Sequence, residues 1–132
     1  MSVPAMMATK TGAKVGTAAL ILLWAGVALA DIRAIDGDTI RIDGETIRVM
    51  NIDAPEIHPC HCQLECDLGY RAKEYVERFL SGPIVLERAS RRDKYGRTLA
   101  TVSVNGIDLG EARIKEGLAR PWEGKRKPWC KE

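Results

Sequence analysis

The sequence predicts one small α+β domain that is mainly β, with an element order compatible with a closed barrel that carries helices. Residues 31–53 alternate between apolar and polar side chains, as half-buried strands do. Residues 69–80 instead repeat apolar side chains at steps of three and four, which is typical of an amphipathic helix. Residues 84–104 return to strand-like runs. This order favours a barrel, although the pattern alone leaves its closure open.

Length and composition limit the chain to one ordinary globular domain. The chain has 132 residues, of which 29% are charged and 45% are hydrophobic. These values exclude a disordered chain, a collagen-like chain and a membrane protein with many spans. Lys10 and Lys14 are the only charged residues before Asp31, so 18 of the 20 Lys and Arg residues balance 18 Asp and Glu residues in the remainder. Bulk charge therefore gives no argument for a nucleic-acid partner, and any such argument must come from local clusters.

The first 30 residues are predicted to be a secretory signal peptide. Two lysines precede an uncharged stretch, residues 15–30, which ends in Ala28-Leu29-Ala30. A positive segment, a short apolar segment and a small-x-small site together favour cleavage after residue 30. An uncleaved membrane anchor is the alternative, but the uncharged stretch is short for the roughly 20 residues of a spanning helix. We therefore expect residues 31–132 to form an exported domain, periplasmic or secreted.

Turn residues divide the first part of the domain into strands. Asp36-Gly37 and Asp43-Gly44 interrupt the apolar positions of residues 31–53, and Asp-Gly is a frequent turn pair between antiparallel strands. Three strands are predicted here, with Asp53 at the end of the third. Residues 56–68 are polar, rich in cysteine and without periodicity, so we expect a loop.

A helix and two further strands are predicted next. The apolar residues from Ala72 to Leu80 share one helical face, and Ser81-Gly82-Pro83 is expected to end this helix. The elements that follow are a strand from Ile84 into a basic segment, a strand over Leu99–Val104, a turn at Asn105-Gly106, a short helix from Leu109 to Gly117, and a tail from Pro121.

Four cysteines, an even number in a small exported domain, favour two disulfides. Three of them lie within seven residues beside His58 and His61, so a zinc site is the alternative, although the spacings C-x-C and C-x₃-C match no standard zinc pattern. A C-x-C pair is too close for a bridge of normal geometry. One bridge must then close the loop, as Cys60–Cys66 or Cys62–Cys66, and the other must reach the tail. We favour Cys60–Cys66 with Cys62–Cys130.

The first of three polar clusters combines Asp36-Gly37-Asp38-Thr39 with Asp53. Two carboxylates at strand ends, brought together by strand pairing, suit a hard cation such as Ca²⁺. The alternative is structural, because Asp-Gly is a common turn and Asp at a strand end often acts as a cap.

The second cluster combines Arg48 with Asp53-Ala54-Pro55-Glu56. Arg48 and Asp53 are five residues apart, so on a regular strand their side chains would face opposite sides. A bulge or bend must intervene if both serve one site. Otherwise Arg48 is a surface residue of a strand and Glu56 is a solvated loop residue.

The third cluster runs from Arg88 to Arg97 and contains five cations, one acid and Tyr95. Lys and Arg side chains neutralise phosphates, and a tyrosine can stack on a base. The alternative is a solvated hairpin, which charge runs usually are.

Three strings, taken in order, are similar to the signatures of the thermonuclease family, the staphylococcal-nuclease-like phosphodiesterases. They are Ile35-Asp-Gly-Asp-Thr39, Arg48-Val-Met-Asn-Ile-Asp-Ala-Pro-Glu56 and Asp93-Lys-Tyr-Gly-Arg97, and the resemblance covers about residues 32–122. It implies a five-stranded barrel of the OB-fold with helices, and calcium-dependent cleavage of DNA and RNA that leaves 3′-phosphate ends. We expect little sequence specificity, since no element that reads bases is evident. We also expect a monomer.

The resemblance assigns the metal and the attacking water by position. Asp38 and Asp53 would ligate Ca²⁺ through their carboxylates, and Asp36 would lie behind them. Ala54 stands where the family usually has threonine, but the implied ligand is the backbone carbonyl, which does not need the hydroxyl. Glu56 would act as general base or would position the water.

The resemblance also assigns contacts with the nucleic acid. Arg48 and Arg97 would bind the phosphate and act in catalysis, and Lys94 and Tyr95 would contact phosphate and nucleotide. A tyrosine that the family has after the second helix is not found, and Trp122 is expected to take its place.

Two other functions are compatible with the sequence. One is a nucleic-acid-binding barrel with little or no activity, which would be expected to have lost at least one residue of the set Asp38, Arg48, Asp53, Glu56 and Arg97; none is missing. The other is a zinc-stabilised interaction module built on residues 58–66.

Overall fold

The computed structural model describes residues 2–6, 12 and 30–131. Most of the predicted signal peptide lies outside the described residues. No helix within the described part of the chain is long and apolar enough to cross a membrane. The elements are, in order, β1 (Ile32–Ala34), β2 (Thr39–Ile42), β3 (Glu45–Val49), β4 (Ile52–Asp53), α1 (Gln63–Phe79), β5 (Ile84–Arg92), β6 (Thr98–Val104), β7 (Ile107–Asp108), α2 (Leu109–Lys115) and β8 (Arg120–Pro121).

The strands form one mixed sheet and one short ribbon. The sheet has the order β1-β2-β3-β6-β5, with β7 beside β6, and only the β3–β6 pair is parallel. The ribbon is the antiparallel pair β4–β8. This architecture confirms the predicted α+β fold with an OB-type arrangement of five principal strands. Within the described residues β1 and β5 remain the two edges of the sheet, so backbone pairing does not close the barrel at that seam.

The core lies between one face of the sheet and the two helices. Along β6, residues alternate between buried and partly buried, which is the pattern of a strand with one face on the core. Aliphatic side chains fill this space, since the chain has few aromatics. The fully buried ones include Ile40 and Ile47 from the sheet, Val76 from α1 and Leu109 from α2.

The prediction that residues 56–68 form a loop is wrong from residue 63 onward, because α1 begins at Gln63. Helical periodicity is weak there because the first turns do not pack on the core, and Leu64 is exposed. Local bonds stabilise this end instead. Glu65 is buried and accepts hydrogen bonds from the backbone N–H groups of His61 (2.8 Å) and Glu56 (3.2 Å). Glu65 thereby ties the first turn of α1 to the segment before it, while the N-cap residue Cys62 makes no side-chain capping bond.

Asp53 does not lie at the end of the third strand, as predicted, but in the separate strand β4. The chain turns at Met50 and Asn51, and Asn51 adopts a left-handed conformation with φ of 67°. This turn is the bend that the five-residue spacing between Arg48 and Asp53 requires. The ribbon partner β8 then holds Asp53 opposite Arg120.

The cysteines lie in two pairs at disulfide distance, Cys60 with Cys66 and Cys62 with Cys130. Their Cα–Cα separations of 5.2 Å and 6.0 Å fall in the usual range for a bridge. The second pair joins the start of α1 to the tail, 68 residues away in sequence. This pairing is the one that we favour from the sequence, and peptide mapping without reduction would test it.

Candidate active site

The loop between β1 and β2 brings Asp38 beside Asp53. The backbone N–H of Val49 donates to the carbonyl of Asp38 (2.8 Å), which ties the loop to the end of β3. Gly37 lies so close to α1 and to the segment after β4 that a Cβ atom there would come within 3.0 Å of the Ala72 side chain. Both aspartates are only 2% exposed. The loop tied to β3, the bend at Asn51 and the close approach of Gly37 thus bring the two carboxylates into one buried position.

Each of these two carboxylates has one oxygen bonded within the fold and one oxygen without a hydrogen-bond donor. Thr39 Oγ1 donates to Asp38 Oδ1 (3.0 Å), and Arg120 donates to Asp53 Oδ2 from Nε (3.1 Å) and Nη2 (2.9 Å). Among the described residues, Asp38 Oδ2 and Asp53 Oδ1 have no donor. Only longer ion-pair contacts from Arg48 and Arg126, at 3.4–3.6 Å, reach these two oxygens. Buried polar atoms are nearly always hydrogen-bonded, so both oxygens keep the capacity to bind a further ligand.

A hard cation fits these oxygens. Ca²⁺ takes six to eight oxygen ligands, of which carboxylates, backbone carbonyls and waters are the usual kinds. No group of three or more His, Cys, Asp or Glu side chains in the described chain is arranged to hold a metal, so two carboxylates would have to be completed by other oxygens. Ala54 is buried directly after Asp53, and its carbonyl remains the predicted third protein ligand.

Asp36 lies behind this pair and is itself nearly buried. Its Oδ1 accepts a hydrogen bond from the backbone N–H of Asp38 (3.1 Å). Burial, and after it the neighbouring Asp38 carboxylate, raise the pKa of Asp36 to about 7. Burial also disfavours the charge on Asp38, but Arg48, the bond with Asp36 and Arg126 together lower the pKa of Asp38 below its ordinary value. The two acids therefore differ in charge near neutral pH.

We expect Asp36→Asn to stabilise the protein in chelator, and increasingly so as the pH rises from about 4 to 7. The raised pKa means that the folded state binds more protons than the unfolded state in this window, so the wild type loses stability as the pH rises. An asparagine avoids that loss and keeps an acceptor for the Asp38 N–H. Above pH 7, the free energy of unfolding of the variant should exceed that of the wild type by about 2 kcal/mol. This is about half of what the full change in the Asp36 pKa would give. Urea unfolding across this range checks it, and a difference independent of pH would contradict it.

Arg48 is buried and faces the same position. Its Nη1 donates to the Val49 carbonyl (2.5 Å) and its Nη2 to the Ile52 carbonyl (2.9 Å), so the guanidinium spans the bend. Nη2 also lies 3.4 Å from Asp38 Oδ2. The ring of Trp122 lies 5.8 Å from the guanidinium carbon. The bend therefore turns Arg48 toward the acids rather than toward the solvent.

Arg97 also approaches Asp38. Asp93 fixes it, because Arg97 Nε lies 2.5 Å from Asp93 Oδ2 and the Arg97 backbone N–H donates to Asp93 Oδ1 (2.8 Å). Arg97 Nη1 donates to Thr39 Oγ1 (3.2 Å), beside Asp38. Tyr95, which is 72% exposed, places its ring 5.4 Å from the Arg97 guanidinium.

A cleft of about 720 Å³ opens over these arginines. Its lining contains the predicted residues that would contact nucleic acid, which are Arg48, Lys94, Tyr95, Arg97 and Trp122. Asp53 and Glu56 lie instead on a smaller adjoining cavity of about 330 Å³. Arg126 borders both. The predicted phosphate-binding residues thus line the larger cleft, and Asp53 and Glu56 line the smaller one, whereas Asp38 is among the lining residues of neither.

Three arginines of this region were not singled out from the sequence. Arg120 holds Asp53, and Arg126 Nη1 lies 2.7 Å from Glu56 Oε2. Their signal is weak, because cations in a polar tail look like solvated residues. Arg113 could have been noticed, since it follows the buried Leu109 by four residues and so shares its helical face.

Arg113 is fully buried, and none of its guanidinium nitrogens has a hydrogen-bond partner in the described residues. A Cβ atom on Gly37 would lie 3.2 Å from Arg113 Nη1, so this charge lies directly behind the acidic loop. Burial lowers the pKa of Arg113 to about 10, which leaves it charged at neutral pH beside Asp38 and Asp36.

Comparison with known proteins identifies the family of the chain. Residues 46–131 match the family model described as staphylococcal nuclease homologue. Endonuclease YncB of Bacillus subtilis is 43% identical over 97 residues, which cover 67% of this chain and 44% of the relative. The SPbeta prophage-derived endonuclease YokF of the same organism is also 43% identical over 97 residues, covering 67% of this chain and 32% of YokF.

A thermonuclease of Staphylococcus hyicus is 37% identical over 95 residues, which cover 67% of this chain and 56% of that protein. The aligned part of this chain thus spans between 32% and 56% of the length of these three relatives.

Proposed function

Because the chain belongs to the staphylococcal nuclease homologue family, we propose that it is a calcium-dependent nuclease that hydrolyses phosphodiester bonds of DNA, RNA or both, with little sequence specificity, and leaves 3′-phosphate ends. One observation carries the proposal. Two buried carboxylate oxygens without donors, on Asp38 and Asp53, lie beside two arginines that line an open cleft.

The arginines provide what an anionic substrate needs. A phosphodiester carries a negative charge that repels an attacking water, and the charge grows in the transition state. Arg48 and Arg97 present guanidinium groups that match phosphate oxygens in charge and in geometry. Both are held by hydrogen bonds before substrate arrives, so little reorganisation is needed.

The carboxylates divide into two roles. Asp38, Asp53 and the Ala54 carbonyl would hold Ca²⁺, which, when bound, would neutralise phosphate charge and supply a coordinated water. Glu56 is half-buried beside this position and would accept a proton from the water or orient it. Asp36 would keep the Asp38 backbone in place through its bond to the N–H group.

The cleft would bind the rest of the nucleic acid. Lys94 would contact a phosphate, and the exposed rings of Tyr95 and Trp122 offer stacking surfaces that tolerate any base. These groups carry charge and flat apolar surface but no pattern of donors and acceptors. Contacts of this kind position a strand without reading its sequence.

Digestion of plasmid DNA and of RNA with added Ca²⁺, and with excess chelator, tests the proposal. We expect cleavage of at least one substrate only with Ca²⁺. Fragments should carry 5′-hydroxyls, so polynucleotide kinase should label them without prior phosphatase treatment. Full activity in excess chelator would contradict the metal assignment, and fragments that need phosphatase first would contradict the assigned ends.

We also propose that the domain is exported and acts as a monomer. The two cysteine pairs are of the kind that persists in oxidising compartments. Sequencing the N-terminus of protein recovered outside the cytoplasm would test cleavage after Ala30, and a start at Met1 would contradict it.

A further inference from the structure

The tail of the chain places a positive charge among the three predicted acids of the site. Arg126 Nη1 lies 2.7 Å from Glu56 Oε2 and 3.5 Å from Asp53 Oδ1, and Arg126 Nη2 lies 3.6 Å from Asp38 Oδ2. The last two oxygens are the buried ones without donors. One guanidinium thus faces both oxygens that a metal would bind.

Both ends of the tail are fixed. At one end the Trp122 backbone N–H donates to the Asn51 carbonyl (2.8 Å), next to the β4–β8 ribbon. At the other end Cys130 is paired with Cys62 of α1. Between them, Arg120 donates to the carbonyls of Lys127 and Pro128, and the Trp129 ring lies 4.1 Å from its guanidinium carbon. Arg126 is therefore held near the acids at a high effective concentration.

We propose that Arg126 is an intramolecular competitor for the metal, a tethered cation that must leave the carboxylates before Ca²⁺ can bind them. The inference rests on the proposed function, since it takes Ca²⁺ as the ligand of Asp38 and Asp53. A guanidinium and a Ca²⁺ ion cannot both contact these two oxygens, because each needs the same space and the two cations repel. Binding of Ca²⁺ therefore breaks the pair between Arg126 and Glu56.

The surroundings allow this exchange. The Arg126 side chain is 45% exposed, whereas those of Asp38 and Asp53 are 3% exposed, so the arginine can move while the acids stay. Arg126 already borders the 720 Å³ cleft. The displaced charge would then lie where the phosphates of a bound strand run. Release of Glu56 in the same step would free the carboxylate that is proposed to act on the water.

Calorimetric titration of Ca²⁺ into the purified, oxidised full-length chain and two variants tests the competition. Arg126→Gln should bind Ca²⁺ about 5- to 10-fold more tightly than wild type, at the lower end of the usual range for coupled binding. Lys125→Gln removes the same charge from the neighbouring position, and none of the ion pairs of the described tail involves Lys125. Its Ca²⁺ affinity should stay within about 2-fold of wild type, because exposed charges are screened.

Thermal unfolding gives a second measurement that does not depend on activity. In chelator, Arg126→Gln should unfold at a lower temperature than wild type, because the acids lose their compensating charge. In saturating Ca²⁺ the difference should shrink, so the stabilisation by Ca²⁺ should be larger in the variant. Equal Ca²⁺ affinities of wild type and Arg126→Gln, or equal tightening in both variants, would overturn the competition. No measurable Ca²⁺ binding by any of the three proteins would instead overturn the calcium site itself.

Discussion

Arg97→Ala should lower kcat for nucleic-acid cleavage by on the order of 10²-fold or more, which is the usual loss when a preorganised stabiliser of transition-state charge is removed. Arg97 is suited to that role because Asp93 and Thr39 hold it beside Asp38. Arg97→Lys should recover only part of the activity, since an ammonium keeps the charge but loses the paired donors. Steady-state kinetics with Ca²⁺ in excess would measure both.

Arg78→Ala is the matched control for this experiment. Arg78 is an exposed arginine on α1 that pairs with Glu74, one helical turn away. Its loss should leave kcat within about 2-fold of wild type because surface pairs contribute little. A folded Arg97→Ala protein with unchanged kcat would remove Arg97 from the mechanism.

Replacing both Cys62 and Cys130 by serine should lower the free energy of unfolding by about 4 kcal/mol. The pair is 68 residues apart in sequence, and in the chain-entropy account a cross-link that closes a loop of this length stabilises by about that amount. The structure adds a local reason, because this bridge fixes the tail, and carbonyls of the tail accept hydrogen bonds from Arg120, the residue that holds Asp53. Urea unfolding under oxidising conditions measures the loss.

The double variant of Cys60 and Cys66 provides the comparison. These residues are only 6 apart, so the same account gives a stabilisation of about 2 kcal/mol. Equal losses in the two double variants would argue against the long bridge, and four free thiols in the wild type would rule out both bridges.

The elements that sequence predicted best are those whose side chains meet the core directly. The alternation in residues 98–104 and the apolar face from Ala72 to Leu80 both reflect contact with one buried surface. The first turns of α1 were not predicted, because they are stabilised by hydrogen bonds that the Glu65 carboxylate accepts and by a cysteine pair rather than by apolar packing. The short ribbon β4–β8 also escaped, because two residues carry no periodicity.

The candidate site shows the same division. Asp38, Arg48, Asp53 and Arg97 lie in compact strings, so their residue types and spacing pointed to them before any fold was known. Their contacts depend on pairings that no local pattern encodes, such as the parallel β3–β6 pair, which sets Arg48 opposite Leu99.

The contact of Arg126 with the acids could not be predicted from the sequence. Arg126 lies 70 or more residues from Asp38, Asp53 and Glu56, and it reaches them only because the β4–β8 ribbon and Cys130 fold the chain back. In sequence it is one of several cations between prolines and glycines, and such residues are usually solvated.

The long cysteine pair also has a consequence for digestion by proteases. If the bridge forms, residues 62–130 are a covalent ring, and the exposed hairpin turn at Lys94 to Gly96 lies inside it. Such exposed turns are the preferred places for a first cut. A single cut there would leave two pieces that stay joined, so the nicked chain would keep its mass on a non-reducing gel and fall apart only when reduced. Arg97 and the acids would remain on one covalently connected molecule, so the candidate site would survive the first cut.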